Sequence, residues 1–165
     1  MDTRIISAFD AAGYIVASFA STPDPVSNLK LQKLLYYSQG WHLGFEGVPL
    51  FREEIQAWVH GPVVPAVFFY YRNHRWSPIL TPKVKPPVSP QVATHIDLIV
   101  SAYGSMTATQ LEHQSHLERP WTRARKGLLP KQSSNVVISN EAMKSFFSEL
   151  ANEEQQEHQT AGATA

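Results

Sequence analysis

The sequence contains no cysteine among its 165 residues. That absence excludes a disulfide framework, a zinc site with thiolate ligands and a cysteine nucleophile. No stretch approaches the roughly 20 uncharged apolar residues that a membrane-spanning helix needs. The start of the chain also lacks the pattern of a signal peptide, because Asp2 and Asp10 interrupt its apolar stretch. We therefore expect a cytoplasmic protein without a membrane segment.

The chain also lacks an excess of charge of either sign, with 14 Lys and Arg against 14 Asp and Glu. A net charge of zero gives no general reason to bind nucleic acid or anionic lipid, so direct DNA binding is not expected. The charges are nevertheless unevenly placed. Residues 61–130 are basic and residues 131–165 are acidic. Because the basic residues are divided between a loop and a separate helix, the sequence favours a solvated surface over a nucleic-acid site.

The common catalytic signatures are absent as well: no Gly-rich phosphate loop, no G-x-S-x-G and no H-E-x-x-H occurs. The best metal candidates are His113 and His116, three residues apart, with Glu112 or Glu118 nearby. The sequence marks no further ligands for them, and it marks no nucleophile that His60 would activate. We predict a protein that is not an enzyme and holds no cofactor. A small metal-dependent hydrolase using these histidines is the less favoured alternative.

The spacing of apolar residues predicts a mainly α-helical, compact single domain over residues 1–152, with a small strand or hairpin around residues 49–59. Helices are expected over residues 5–19, from Ser27 or Asn28 to a stop at Gly44 and Gly47, from Pro62 to Tyr71, and from Ser89 to Tyr103. Three more are expected: a short helix capped by Thr107 and Gln110, one over residues 119–126, and a last one that starts at Ser139 or Asn140.

Two segments look irregular. Five of the twelve prolines lie in residues 73–90, which predicts an extended connector on the surface. Residues 153–165 are polar and acidic and have no apolar face to bury, which predicts a disordered tail.

Aromatic side chains crowd into residues 36–76, in greater number than one side of a small core requires. Most are expected to pack inside. Those that remain on the surface are expected to be interface anchors, because Trp and Tyr supply a large rigid contact area with a polar group.

The segment LKLQKLLYYSQGWHL, residues 29–43, resembles the Panacea antitoxin domain, a bacterial and phage family that includes the SocA-type antitoxins and the GepA-like proteins. The similarity covers about residues 5–150. Ser115-His116 stands where the family commonly has Thr-His. The match continues through Pro49-Leu50-Phe51, Glu54-Ile55, Ala57-Trp58, His60-Gly61-Pro62-Val63-Val64-Pro65, and Pro120-Trp121 with Arg125.

This resemblance implies a mostly helical domain with a small β element. It also implies an antitoxin that neutralises a cognate protein toxin, encoded next to it, by direct protein binding. SocA-type members act as adaptors that deliver their toxin to a Clp-class protease, so delivery to such a protease is the alternative to simple occlusion.

If the chain is an antitoxin, the surplus aromatic residues are its candidate toxin-binding anchors, and neighbouring arginines are candidate partners for an acidic toxin patch. These candidates are Tyr36, Trp41, Trp58, Tyr70, Tyr71, Arg72 and Arg75. The other residues of the matching motifs are expected to be structural: Lys30, Leu31, Lys33, Leu34, Gly61, Pro62, Val63, Pro120 and Trp121.

Overall fold

The computed structural model describes residues 5–163 of the chain. Within that range the protein is mainly helical with one small antiparallel sheet, which confirms the predicted fold class. In chain order the elements are α1 (Ala8–Phe19), α2 (Asn28–Glu46), β1 (Ile55–Trp58), β2 (Gly61–Val63), α3 (Pro65–Tyr70), a 3-10 helix (Arg72–His74), α4 (Pro90–Tyr103), α5 (Ala108–His116), α6 (Arg119–Ala124), β3 (Val137–Ile138) and α7 (Asn140–Ala163). None of the helices in this range is long and apolar enough to cross a membrane.

Helix α2 lies at the centre of the molecule, and α1, α4, α5, α7 and β2 pack around it. It ends at Glu46, where Gly47 caps it with a φ of 74° as predicted, whereas Gly44 lies inside the helix and does not stop it. The two glycines inside α2 instead allow α7 to approach closely. A Cβ added at Gly40 would lie 2.1 Å from the Phe147 ring, and one added at Gly44 would lie 2.9 Å from the Phe147 main chain. The partner of this contact lies about 100 residues away, so the local sequence did not reveal it.

The polar residues of α2 hold the main chain of the surrounding segments. Lys30, Gln32, Lys33 and Gln39 are all buried, and each of them makes at least one hydrogen bond to a main-chain atom, in keeping with the need of buried polar groups for partners. The bonds are Lys30 Nζ to Gly104 O (2.7 Å), Lys33 Nζ to Pro62 O (3.1 Å), Val64 N to Gln32 Oε1 (2.9 Å), Leu50 N to Gln39 Oε1 (2.8 Å) and Gln39 Nε2 to Phe51 O (2.9 Å). The structural role expected for Lys30 and Lys33 thus has a physical basis.

The sheet has the strand order β2-β1-β3, and both pairings are antiparallel. The prediction that Pro62 opens the following helix is wrong: Pro62 lies in β2 opposite Ala57, and Pro65 occupies the first turn of α3. An edge strand accommodates a proline, because the missing N–H is not needed for pairing. The two-residue strand β3 was not predicted, since so short an element carries no periodicity.

The predicted helix starts on the second half of the chain are confirmed. The Ser89 hydroxyl accepts a hydrogen bond from Val92 N, and Thr107 and Gln110 form both bonds of a capping box. The proline-rich connector between α3 and α4 is more closely packed than expected. Ile79 in that connector is fully buried, and its N–H donates to Val26 O at 2.8 Å.

The end of the chain differs from the expected disordered tail, since α7 continues through Ala163. Glu, Gln and Ala are strong helix formers, and no proline interrupts them. Residues 152–163 are nevertheless all exposed, so they have no core contact that stabilises the helix. The division into a domain of residues 1–152 and a separate tail stays a prediction.

Candidate partner-binding surface

An open groove of about 1190 Å³ lies beside the small sheet, and we call it the aromatic groove. It is lined by residues of β1, β2, α3 and the 3-10 helix, together with the start of α2 and a loop that precedes β3. Its apolar lining is Leu29, Trp58, Val59, Val63, Pro65, Phe68, Phe69 and Trp76; its polar lining is Asn28, Gln56, His60, Arg72, Arg75, Glu112, Ser133, Ser134 and Asn135.

Aromatic rings dominate the groove. Trp58 packs edge-to-face on Phe68, with ring centroids 5.0 Å apart, and Phe69 lies 6.0 Å from Trp58. Phe69 is 53% exposed and Trp76 is 83% exposed, so these rings present apolar area to solvent. Large rigid side chains in an apolar depression are typical of binding anchors.

The charges of the groove are unbalanced. Glu112 Oε1 lies 3.0 Å from His60 Nδ1, so this carboxylate has a partner. In contrast, the guanidinium groups of Arg72 and Arg75 make no hydrogen bond or ion pair with any residue in the range 5–163. Arg75 also has a φ of 53°, which few L-residues adopt. Within residues 5–163, the groove therefore offers two unpaired cations, Arg72 and Arg75, next to aromatic surface.

Four of the seven predicted anchors are exposed or half-buried. Trp58, Arg72 and Arg75 all line the groove. Tyr70 is 69% exposed but lies outside the groove lining, where its ring meets Phe9 at 5.6 Å. The prediction that residues 36–76 supply an aromatic binding surface therefore identified part of the groove.

The other three predicted anchors are core residues, and their selection as surface anchors needs correction. Tyr36 is fully buried and packs against Phe147 at 5.6 Å, because α7 covers that side of α2. Trp41 is buried as well, and its indole Nε1 donates to Tyr103 Oη at 2.7 Å. Tyr71 is only 6% exposed. None of the three offers its ring to a partner in this conformation.

Motif residues that are distant in sequence meet behind the sheet and position Trp58. The Trp121 indole Nε1 donates to Trp58 O at 2.9 Å, and Arg125 Nη1 donates to Ala57 O at 2.9 Å. The His116 ring stacks on Trp121 with centroids 4.0 Å apart. The Pro-Trp motif thus fixes the main chain of β1, from which the Trp58 side chain reaches the groove.

Two buried ionisable groups lie close to the same framework. Burial lowers the pKa of Lys33 to about 7, and nearby Glu112 only partly offsets this effect. Burial raises the pKa of Glu118 to about 7, although Tyr37 Oη donates a hydrogen bond to it at 3.1 Å. Both groups are enclosed by the core, so neither faces the groove.

Among residues 5–163, the structure gathers no set of metal ligands around His113 and His116. His113 is exposed to solvent. His116 packs against Trp121, and its partial burial lowers the pKa of its imidazole. Across the part of the chain that the structure describes, no group of three or more His, Cys, Asp or Glu could hold a metal ion.

Sequence reasoning missed several groove residues. Phe68, Phe69 and Trp76 lie in the aromatic segment of residues 36–76 but are not among the predicted toxin-binding anchors. They differ from Tyr36 in the helix that carries them or lies next to them. Helix α3 is short and lies at the edge of the molecule, whereas other helices pack around α2. Asn28, Leu29 and the loop 133–135 join the groove only through tertiary structure, and nothing in the sequence indicated that they would line a binding surface.

Comparison with known proteins matches residues 31–122 to the family described as antitoxin SocA-like, Panacea domain. The chain is also similar to the antitoxin SocA of Caulobacter vibrioides (strain NA1000 / CB15N), with 30% identity over 159 residues, covering 88% of this chain and 85% of that protein. No solved structure matches. The matched range runs from α2 into α6 and contains most of the groove, including Trp58, Arg72 and Arg75.

Proposed function

The chain belongs to the SocA-like Panacea domain family of antitoxins, and from that premise we propose that it neutralises a protein toxin by binding it directly through the aromatic groove. The observation that supports this surface is the exposure of Phe69 and Trp76 beside the half-buried Trp58. Such rings lose contact with water when a partner covers them, and a few aromatic anchors commonly supply most of the binding energy of an interface.

The mechanism needs no chemistry by this chain. A tight interface over the groove would cover the toxin's active surface or hold the toxin in an inactive shape. Trp121 and Arg125 would serve it indirectly, because they hold the main chain of β1 and so the position of Trp58. The histidines at positions 60, 113 and 116 take no catalytic role in this proposal.

The test compares two phenylalanines of equal exposure. Phe69 in the groove is 53% exposed, and Phe45 on α2 outside the groove is 54% exposed. Each variant, Phe69→Ala and Phe45→Ala, is co-expressed with the protein encoded by the neighbouring reading frame. We expect Phe69→Ala to lose about 2 kcal/mol or more of binding free energy and to protect cells poorly. Phe45→Ala should protect like the parent.

Melting temperatures of both variants provide the control for folding. Equal protection by folded Phe69→Ala and Phe45→Ala would remove the groove from the proposal. A parent protein that neither binds nor protects against the neighbouring product would contradict direct neutralisation altogether.

The second candidate function is delivery of the toxin to a Clp-class protease. The exposed end of α7, residues 152–163, favours it, because this segment is accessible to another protein while the domain stays folded. The metal-dependent hydrolase alternative is tested by elemental analysis of the purified protein, where a stoichiometric bound metal would support it.

A further inference from the structure

The Lys and Arg side chains of the basic region, residues 61–130, differ in whether they form hydrogen bonds or ion pairs within the protein. Arg125 is buried and donates to Ala57 O and Gln132 O. Arg119 pairs with Glu149, and Lys85 lies 3.6 Å from Asp97. Arg72 and Arg75 have no such partner among residues 5–163, and neither do Arg123 and Lys126. Arg72 and Arg75 differ from that second pair because they line the groove beside its apolar surface.

Arg72 and Arg75 lie close together in the chain and line the same groove. Arg72 begins the 3-10 helix and Arg75 follows its end, so they lie three residues apart on one turn, and both line the groove. Arg75 is held there at a φ of 53° and a ψ of -115°. A planar guanidinium presents paired N–H donors that match a carboxylate in a bidentate arrangement.

Among the described residues, the carboxylate that also lines the groove, Glu112, does not compete for these arginines. Glu112 is engaged by His60 Nδ1 at 3.0 Å. The groove therefore keeps an excess of positive charge next to Trp58, Phe69 and Trp76. A partner that complements this groove carries a negatively charged group close to an apolar side chain.

We propose that the groove takes an acidic segment of the protein partner, in which an apolar side chain enters among Trp58, Phe69 and Trp76 while an adjacent Asp or Glu pairs with Arg72 and Arg75. This inference rests on the proposed function and specifies the chemistry of the partner. A protein segment fits better than a nucleic acid, because the described lining of the groove holds a carboxylate of its own and two arginines, whereas phosphate backbones are bound by many cations.

The experiment uses charge reversal with a matched control. The double variant Arg72→Glu/Arg75→Glu is compared with Arg123→Glu/Lys126→Glu, which makes the same change of charge at exposed cations outside the groove. Affinity for the purified product of the neighbouring reading frame is measured at low salt and at about 0.3 M salt. We expect the groove variant to bind at least about tenfold more weakly than the control variant. The affinity of the parent should fall as salt is added.

The bound segment is then located by placing a benzophenone photocrosslinker at position 69. The crosslinked segment should contain Asp or Glu, and replacing that residue with Arg should restore binding to Arg72→Glu/Arg75→Glu. Unchanged affinity of the folded groove variant, or a crosslinked segment without a carboxylate, overturns the inference while leaving direct neutralisation intact. Competition by an oligouridine probe would also overturn it in favour of single-stranded nucleic acid. Failure of the parent to bind overturns both proposals.

Discussion

Lys33 passes beneath Gly61 so closely that the glycine position has no room for a side chain. A Cβ built on Gly61 would lie 2.6 Å from Lys33 Cε and 2.9 Å from Ser115 Oγ. The Lys33 ammonium group continues past this point and donates to Pro62 O at 3.1 Å. The central helix, α5 and the first residue of β2 therefore meet at one tight contact behind the groove.

Gly61→Ala should destabilise the protein for two reasons, a φ of 104° and the contact with Lys33. We expect a loss of about 2–4 kcal/mol in the free energy of unfolding, measured by denaturant titration. Gly127→Ala is the control, because Gly127 has a φ of 85° but no atom within 4 Å of the added Cβ. That variant should lose about 1 kcal/mol. Equal losses would mean that the close contact contributes nothing.

The depressed pKa of Lys33 predicts a rise of stability in alkaline solution. Between pH 7 and the ordinary lysine value of 10.5, the unfolded chain holds the Lys33 proton while the folded chain has released it. The free energy of unfolding should therefore increase with pH over this range. Lys33→Met should abolish that increase, whatever its effect on stability at pH 7. An unchanged slope in this variant would show that another group is responsible.

The raised pKa of Glu118 predicts the opposite dependence of stability on pH in mildly acidic solution. From its ordinary value of 4.5 up to about 7, the folded chain keeps a proton on Glu118 that the unfolded chain has released. Stability should therefore fall as the pH rises through this range. Glu118→Gln keeps an acceptor for Tyr37 Oη and removes the titration, so its profile should be flatter between pH 4.5 and pH 7. Thermal unfolding in a buffer series tests this, and a parallel profile would contradict it.

Removal of the residues after Asn152 should leave the folded domain intact. The last buried side chain of α7 is Ala151, and residues 152–163 are exposed. We expect the melting temperature of the shortened protein to equal that of the full chain, and limited proteolysis of the full chain to remove this segment. A marked fall in melting temperature would show that the segment belongs to the domain.

The same truncation separates the two modes of action. A protein that acts by occlusion alone should still protect cells without the segment. Loss of protection by the folded, shortened protein, with toxin binding retained, would favour protease delivery.

Local signals in the sequence predicted most helices because their ends are encoded nearby. Ser89 before Pro90, and Thr107 three residues before Gln110, each specify a helix start within a few residues. The burial of Tyr36 had no such local signal, since it depends on Phe147 in α7. The same holds for Gly40, which a helix-propensity argument treats as a weak point and the structure uses for close packing.

The candidate site was predictable only in part for the same reason. The aromatic density of residues 36–76 identified Trp58, and the basic pair followed from its position next to those rings. Which rings stay exposed is decided by how α3 and the 3-10 helix lie against the sheet. Residues 133–135 join the groove only because β3 pairs with β1.

The hydrogen bonds that α2 makes to main-chain atoms have a consequence for how such a protein can change over time. Main-chain carbonyl and amide groups are present whatever the side chain, so the bonds of Gln39 and Gln32 do not depend on which side chains the held segments expose, although Phe51 and Val64 themselves are buried. The exposed positions of these segments can therefore exchange their side chains while the central helix continues to hold the path of the main chain. A lineage built on this framework can acquire new binding specificities without redesigning its interior.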